Sequence, residues 1–423
     1  MIAKTPSSIN AHSHSTQIGH FVFISSCSHL WGGSEELLGW TAKYLKQQGH
    51  QVSIFKLQIG EHPRILDLQA AGVEVVALKT LRFTLLKHYV FSCVYHLVRF
   101  LTFLPLPAKC YLIQPDPHRT FLLQTLSKIQ PSLVLISQGD NFDGLEYADI
   151  CLELHFSYAI LSHKASNYVW PVDALRPFMQ NIFQQAKRCF FVSEHNLSLT
   201  QKQLGQALHH AEVVRNPYLV SCSEYLPWPE IKDDCFKLAC VGRLWLLDKG
   251  QDILLEILAQ EKWKYRNLQV SFFGEGVNRE TLIDMANFLG LKNVSFPGFV
   301  ENIVNVWQEY HALILPSRAE GLPITLIEAM MCGRLGITTD VGGIPEVLED
   351  NITGFMAQGA CFTAIDETLE RAWLRRDEWE NIGKKASVSI RQLIPPDPER
   401  LFADKLLQLS TLSVDATPIG DKT

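Results

Sequence analysis

Short, unbroken apolar runs alternate with amphipathic stretches along most of the chain. The first run covers residues 21–25, FVFIS. A Gly32-Gly33 turn follows, then residues 34–48, where Leu37, Leu38, Thr41 and Leu45 recur at helical spacing. Ser34 stands where a helix cap is expected, and Gly49 where the helix should stop. The next run, 52–57, completes a strand–turn–helix–strand unit, the building block of a parallel sheet. Further strands are expected at 73–78, 132–137, 158–162, 188–192 and 211–214.

The alternation stops at 216–235, NPYLVSCSEYLPWPEIKDDC, where proline, serine and charge follow no period. That segment reads as a linker between two domains. Beyond it the pattern restarts with strand 236–241, helix 250–260, strand 268–274, helix 278–289 and strand 293–296. Helix 302–309, strand 311–315, helix 323–332, strand 335–338 and helix 343–348 follow. The predicted class is α/β, with two Rossmann-like, doubly wound parallel sheets whose carboxyl-terminal strand edges carry function. The expected organisation is a first domain over 19–218, a linker over 219–235 and a second domain over 236–392. A helix at 397–411 is expected to pack back on the first domain, and 1–18 and 413–423 to be frayed tails.

A length of 423 residues suits two domains of about 200 residues each. With 47% hydrophobic and 19% charged residues, the chain has material for two cores and does not read as disordered. A net charge of −6 gives no nucleic-acid footprint. Residues 1–220 hold 18 Lys+Arg against 14 Asp+Glu, and residues 221–423 hold 20 against 30, so the halves differ in sign and are expected to face different partners. The 10 cysteines form no Cys-x-x-Cys pair, which predicts reduced thiols and no metal site. The polar N-terminal stretch has no apolar signal core, and no apolar run reaches the roughly 18 residues of a membrane span. A cytoplasmic protein is therefore expected. Residues 75–115 lack Asp and Glu but carry Lys79, Arg82, Lys87, Arg99 and Lys109 among apolar residues. Such a stretch suits either peripheral contact with an anionic membrane through 79–109 or buried helices with snorkelling ends.

The densest candidate chemistry lies at 316–332, PSRAEGLPITLIEAMMC. A strand ends at Pro316, a loop carries Glu320, Gly321 and Leu322, and a helix starts near Pro323, with Glu328 inside it. Free N–H groups around Ile324 and Thr325 make a natural diphosphate site, with a carboxylate on each side to hold hydroxyl groups. At 240–252, CVGRLWLLDKGQD, Arg243 follows a strand and Lys249 precedes a helix, so two cations stand ready to neutralise a leaving diphosphate. Gly32-Gly33 permits close approach of backbone to a phosphate, although it is not a GxGxxG turn. His163 follows strand 158–162 at a carboxyl edge, whereas His155 lies in the helix-like CLELHF. FFGEGVNRETL at 272–282, with Glu275, and PGFV at 297–300 are strand-end turns. Taken one at a time, each segment has a plain explanation as solvated charge, ordinary turn or satisfied core histidine.

Together these segments resemble the retaining glycosyltransferases of family 4 (group 1), which have the GT-B fold. The likeness is greatest over 238–356, in VGRL and KGQD, FFGEG, FPGFV, LPSRAEGLPITLIEAM and DVGGIPEVLEDNITGF. HLWGGSEELL and VVRNPY at 213–218 agree with it, while 60–130 show little likeness. The resemblance implies two domains facing across a cleft, a donor site in the second and an acceptor site in the first. It implies that Glu320 touches the transferred sugar and Glu328 the ribose, with Arg243 and Lys249 at the diphosphate. It brings Gly32 and Gly33 in from the first domain, puts His163 near the sugar, and puts Gly298, Phe299 and Val300 beside the base. Gly321, Leu322, Pro323, Ile324 and Thr325 complete the donor site. Many members separate the Arg and Lys by four residues; five, LWLLD, intervene here.

The expected activity is transfer of a sugar from a UDP-, GDP- or similar nucleotide sugar to a glycan or lipid-linked acceptor, with retention of configuration. No carboxylate stands out as a nucleophile, which favours attack on the face the diphosphate leaves. No Asp-x-Asp motif is present, so neither metal nor cofactor is expected. The alternatives are a nucleotide-sugar epimerase or sugar phosphorylase on the same fold, and a non-catalytic nucleotide-sugar binder within a polysaccharide assembly complex. The sequence does not give the oligomeric state.

Overall fold

The computed structural model describes residues 18–78, 117–220 and 224–411. In chain order the first half comprises β1 (His20–Ser25), α1 (Glu36–Gln47), β2 (Gln51–Lys56), α2 (Pro63–Ala70), β3 (Glu74–Ala77), α3 (Pro117–Ile129) and β4 (Leu133–Gln138). It continues with α4 (Leu145–Glu153), β5 (Tyr158–Ser162), α5 (Arg176–Gln185), β6 (Arg188–Phe191), α6 (Glu194–Leu204) and β7 (Ala211–Val213). The second half comprises β8 (Phe236–Val241), α7 (Leu246–Lys249), α8 (Gln251–Leu258), α9 (Glu261–Lys264), β9 (Leu268–Phe273), α10 (Arg279–Phe288) and β10 (Val294–Gly298). Then come α11 (Ile303–Glu309), β11 (Ala312–Leu315), α12 (Ile324–Met331), β12 (Leu335–Thr339), β13 (Gly354–Ala357), α13 (Phe362–Leu374), α14 (Trp379–Leu393) and α15 (Pro398–Thr411).

The strands form two sheets, ordered β3-β2-β1-β4-β5-β6-β7 and β10-β9-β8-β11-β12-β13. Every strand pair in both is parallel. Two Rossmann-like parallel-sheet domains are therefore present, as the alternation of runs predicts. Parallel strands covered by helices on both faces must be apolar throughout, and β4, β5 and β12 are buried along their whole length. Strand order reverses between β1 and β4 in one sheet and between β8 and β11 in the other, which opens a crevice at the carboxyl ends of those strands.

The last helix belongs to the first core. Phe402, Ala403, Leu406 and Leu409 of α15 are buried in one cluster with Phe21 and Phe23 of β1 and Leu38 and Leu45 of α1. Phe402 meets Phe190 edge to face at 5.0 Å, and Lys405 pairs with Glu212. The chain thus crosses between the sheets twice. The segment around 224–235 is irregular and is tied to the second domain: fully buried Arg334 donates to Pro227 O at 2.6 Å, and Leu226 N donates to Cys332 O at 3.1 Å. Seven described cysteines are free thiols. Burial pushes Cys151 and Cys240 up to about 12, which leaves them inert.

Several local expectations are corrected. Ser34 is not a cap; it lies within a 3-10 turn, Gly33–Glu35, that precedes α1, and no side chain caps either element. The turn carries Glu35 inward, where it pairs with Lys56 and accepts from Ser25 Oγ. His155 is not helical: α4 stops at Glu153, and His155 takes a left-handed φ of 57° that turns the chain towards β5. The helix expected at 343–348 is only a 3-10 turn, Ile344–Glu346, because Gly343 N is bound to Gly321 O across the loop. Strand β13 went unseen because four residues, GFMA, show no period. The basic stretch 79–109 lies outside the described residues. Among those described, no helix is long and apolar enough to cross a membrane.

Candidate active site

The second domain's site is built on the loop between β11 and α12. Pro323 is the N-cap rather than the first helical residue, with φ −68° and ψ 119°. The backbone N–H groups of Ile324 and Thr325 donate to no protein group among the described residues. An eight-residue helix thus ends in free donors and the positive end of its dipole. The loop leading to it is pinned from three sides. Arg318 N and Ala319 N donate to Asp248 O at 2.7 and 3.0 Å, Thr339 Oγ1 donates to Ser317 O at 2.6 Å, and Gly343 N donates to Gly321 O at 2.6 Å. Gly342, at φ 58°, admits this contact, since a Cβ there would lie 2.2 Å from Glu320 O.

Glu320 is 5% exposed, and its Oε1 accepts from Lys249 Nζ at 2.6 Å and from Ser317 Oγ at 2.8 Å. The sequence reading gave Lys249 and Glu320 separate partners; the structure pairs them. Lys249 is the last residue of α7, and Gly250 turns the chain into α8 at φ 61°. A Cβ on Gly250 would lie 2.1 Å from Pro316 O, so this glycine lets α7 nest beneath the Glu320 loop. Gly250→Ala is expected to cost about 1–3 kcal/mol from backbone strain and clash, read as a lowered denaturation midpoint. Glu328 is 3% exposed and its Oε1 accepts from Leu219 N at 2.9 Å. Burial, reinforced by the Glu36 carboxylate and opposed by that backbone bond, pushes Glu328 up to about 7.

The first domain meets this surface directly. A Cβ on Gly32 would lie 3.3 Å from Arg243 Nη2, and one on Gly33 would lie 3.4 Å from Ile324 Cδ1. The Gly-Gly loop, Arg243 and the α12 N-terminus therefore converge. Arg243 is exposed and has no ion-pair partner among the described residues. Behind the loop, the wholly buried Glu35–Lys56 pair and Ser25 Oγ fasten the turn to the ends of β1 and β2. The structure thus groups Arg243, Lys249, Glu320, Gly32, Gly33, Ile324 and Thr325 along one edge.

His163 also reaches the second domain, through its backbone: a Cβ on Gly321 would lie 1.8 Å from His163 O. Its Nε2 lies 3.3 Å from Ser137 Oγ, while Nδ1 and the neighbouring Asn216 Oδ1 are buried without hydrogen-bond partners. Burial holds the imidazole down at about 3, with Asn216 opposing weakly. A pKa lowered from 6.5 means that the unfolded chain binds the extra proton between pH 6.5 and 3, so this group's stability is present above 6.5 and lost as pH falls towards 3. His163→Asn is therefore expected to flatten the acid limb of a stability-against-pH curve measured by urea denaturation. Gly298, at φ 89°, accepts at its carbonyl from Gly274 N at 2.8 Å; Phe299 beside it is 69% exposed and Val300 half-buried. Glu275 is exposed and lies 3.7 Å from Arg279, so it is a turn carboxylate.

Residue-by-residue reading missed the contacts made between domains. Arg215 Nη1 pairs with Glu346 Oε2 at 3.0 Å, and Glu346 Oε1 accepts from His195 N at 3.0 Å. Lys164 and Tyr168 reach Asp248 on the opposite side. Glu346 and Arg215 stood within motifs already noted, DVGGIPE and VVRNPY, but nothing in either segment names its partner. Lys164 and Asp248 adjoin His163 and Lys249, which was the available signal.

Residues 235–373 match the family model described as glycosyl transferases group 1. Among curated proteins, the chain is 29% identical over 140 residues to the putative glycosyltransferase EpsD of Bacillus subtilis, covering 33% of this chain and 37% of that protein. It is 28% identical over 164 residues to the D-inositol 3-phosphate glycosyltransferase of Gordonia bronchialis, covering 36% of each. The chain thus spans about a third of the length of these relatives. Solved structures match over nearly the whole chain. HepE of Anabaena, in complex with UDP and glucose, superposes with a TM-score of 0.68 at 17% identity, over 92% of this chain and 99% of that one. Sucrose-phosphate synthase of Thermosynechococcus elongatus gives 0.68 at 15% identity, over 94% and 100%. With the two sheets, their facing edges and the matched motifs in view, the chain has the GT-B fold, and its second domain is similar, over residues 235–373, to the glycosyl transferases group 1.

Proposed function

We propose that this protein transfers a sugar from a nucleotide sugar to a hydroxyl of a glycan or lipid-linked glycan, with retention of configuration. The observation that carries the reading is the free N-terminus of α12 facing the Gly32-Gly33 loop and Arg243, with the Lys249–Glu320 pair at its side. Two backbone donors, a helix dipole and two cations suit a diphosphate. The buried Glu320 carboxylate suits the hydroxyls of the sugar and the positive charge that develops as its bond to the diphosphate breaks. Glu328 receives the ribose, the Gly298–Val300 turn lies beside the base, and His163 stands near the sugar. The acceptor attacks on the face the diphosphate leaves, and a diphosphate oxygen takes its proton. The cationic work falls to Arg243 and Lys249, so activity is expected to survive a chelator. Peripheral membrane contact through 79–109 is proposed on composition and is read by vesicle sedimentation.

The test is a panel of nucleotide sugars scored by thermal shift and nucleoside diphosphate release, beside Glu320→Ala and Arg243→Ala. Uridine nucleotides lead the panel, because HepE is known in complex with UDP. Binding of one donor, with release abolished in both variants, supports transfer. Binding with release untouched by either substitution overturns the site. A trapped covalent glycosyl-enzyme would replace the same-face mechanism. Glu328 supplies a separate check. Its carboxyl, raised to about 7, is partly protonated near neutrality, and ribose hydroxyls donating to it favour the carboxylate. Donor binding at pH 7 is expected to release about half a proton, seen as a buffer-dependent heat in calorimetry and lost in Glu328→Gln.

A further inference from the structure

We propose that Asp248 is a positioning residue that couples the seating of the first domain to the placement of Lys249 and Glu320. The proposal rests on the sugar-transfer reading and assigns a role to residues outside the donor contacts. Asp248 is bound from two directions. Its side chain belongs to the first domain: Oδ2 lies 2.6 Å from Lys164 Nζ, and Oδ1 accepts from the Tyr168 hydroxyl. Its backbone belongs to the second: the carbonyl accepts from Arg318 N and Ala319 N, in the loop that presents Glu320. The next residue, Lys249, holds the Glu320 carboxylate.

The central ion pair of this clasp is shielded, while Tyr168 and Asp140 at its margins are more exposed. Lys164 and Asp248 have side chains 16% and 18% exposed, and Lys164 also pairs with Asp140 Oδ2 at 3.0 Å at the end of β4. Three charges and a hydroxyl in partial burial form a charge-assisted network rather than an isolated surface pair. The mechanical consequence follows from size. Helix α7 is a single turn of four residues, with Asp248 and Lys249 its last two. Tension on the Asp248 side chain must reach both the Lys249 ammonium and the 318–320 backbone. Lys164 and Tyr168 follow His163, whose carbonyl packs on Gly321. When the first domain is seated, Asp248 is held and the Glu320–Lys249 pair is set; when it parts, the same residue releases the pair and admits water.

The test uses the full chain, with Asp248→Asn, Lys164→Met and the double variant. Two quantities are read: the partition of donor turnover between acceptor and water, and amide exchange without ligand. Asp248→Asn is expected to lower transfer about 10- to 100-fold with donor KM within about 3-fold, and to raise the share of turnover ending in hydrolysis. Simple loss of fold lowers both products together and leaves the partition unchanged. Lys164→Met should act in the same direction, and the double variant should fall well short of the sum of the two single effects, because both remove the Lys164–Asp248 contact. Faster exchange is expected in 163–170 and in 316–320 alike. An unchanged partition, strictly additive single effects, or faster exchange confined to 246–249 overturns the coupling. If the wild type turns over no donor at all, the transferase reading fails, and the exchange comparison still decides whether Asp248 links the two segments.

Discussion

Glu320→Gln is expected to lower kcat about 100- to 1,000-fold while leaving the donor KM within about 3-fold, the range seen when one preorganised electrostatic group is removed. The reason is specific to this carboxylate. It is nearly buried, and one oxygen is already fixed by Lys249 and Ser317. Orientation is therefore settled before substrate arrives, and no reorganisation is needed as charge develops. Glutamine keeps the shape and one acceptor but removes the negative charge proposed to face the sugar, and it leaves Lys249 without its counter-ion. A ground-state contact would appear in KM; an interaction strengthened in the transition state appears in kcat. Steady-state kinetics with the cognate donor and acceptor make the distinction. An unchanged kcat places the reacting sugar elsewhere.

Gly321→Ala is expected to reduce transfer at least about 100-fold, because roughly 1 Å of misplacement costs that much. The added Cβ would lie 1.8 Å from the His163 carbonyl and 3.1 Å from Val192 Cγ2, both on the first domain. Backbone faces backbone, so no side chain can swing aside. Either the domains separate or the 318–322 loop withdraws, and both outcomes spoil the edge where Arg243, Gly32 and Ile324 meet. Each sheet keeps its own core, so far-UV circular dichroism should be unchanged. Donor affinity, resting mainly on the second domain, should fall much less than kcat. Equal loss of both would mean that the substitution acts within the second domain alone.

The fold was largely legible because parallel strands advertise themselves. Runs such as FVFIS and YAILS are buried on both faces and need no partner to be recognised. The loop-plus-helix at Glu320 was legible for a related reason: a proline at a helix start and the free N–H groups after it are local properties of the chain. Four-residue β13 and the 3-10 turn at Ile344–Glu346 were not legible, since neither is long enough to show a period. The 3-10 turn at Ser34 was not legible either, since it carries Glu35 to Lys56, 21 positions along the chain.

The chain by itself determined the two-sheet class, the strand ends at which chemistry gathers, and the identities of the cations and carboxylates there, because each of these follows from spacing within a few residues. Only the tertiary structure decided that Lys249 holds Glu320, that Gly321 rests on His163, and that Asp248 answers to Lys164 and Tyr168. Those pairings join segments between 71 and 158 residues apart. Nothing in either segment encodes such a distance: the first is set when β8 and β11 pair within one sheet, the other two when two separately built sheets come to face each other.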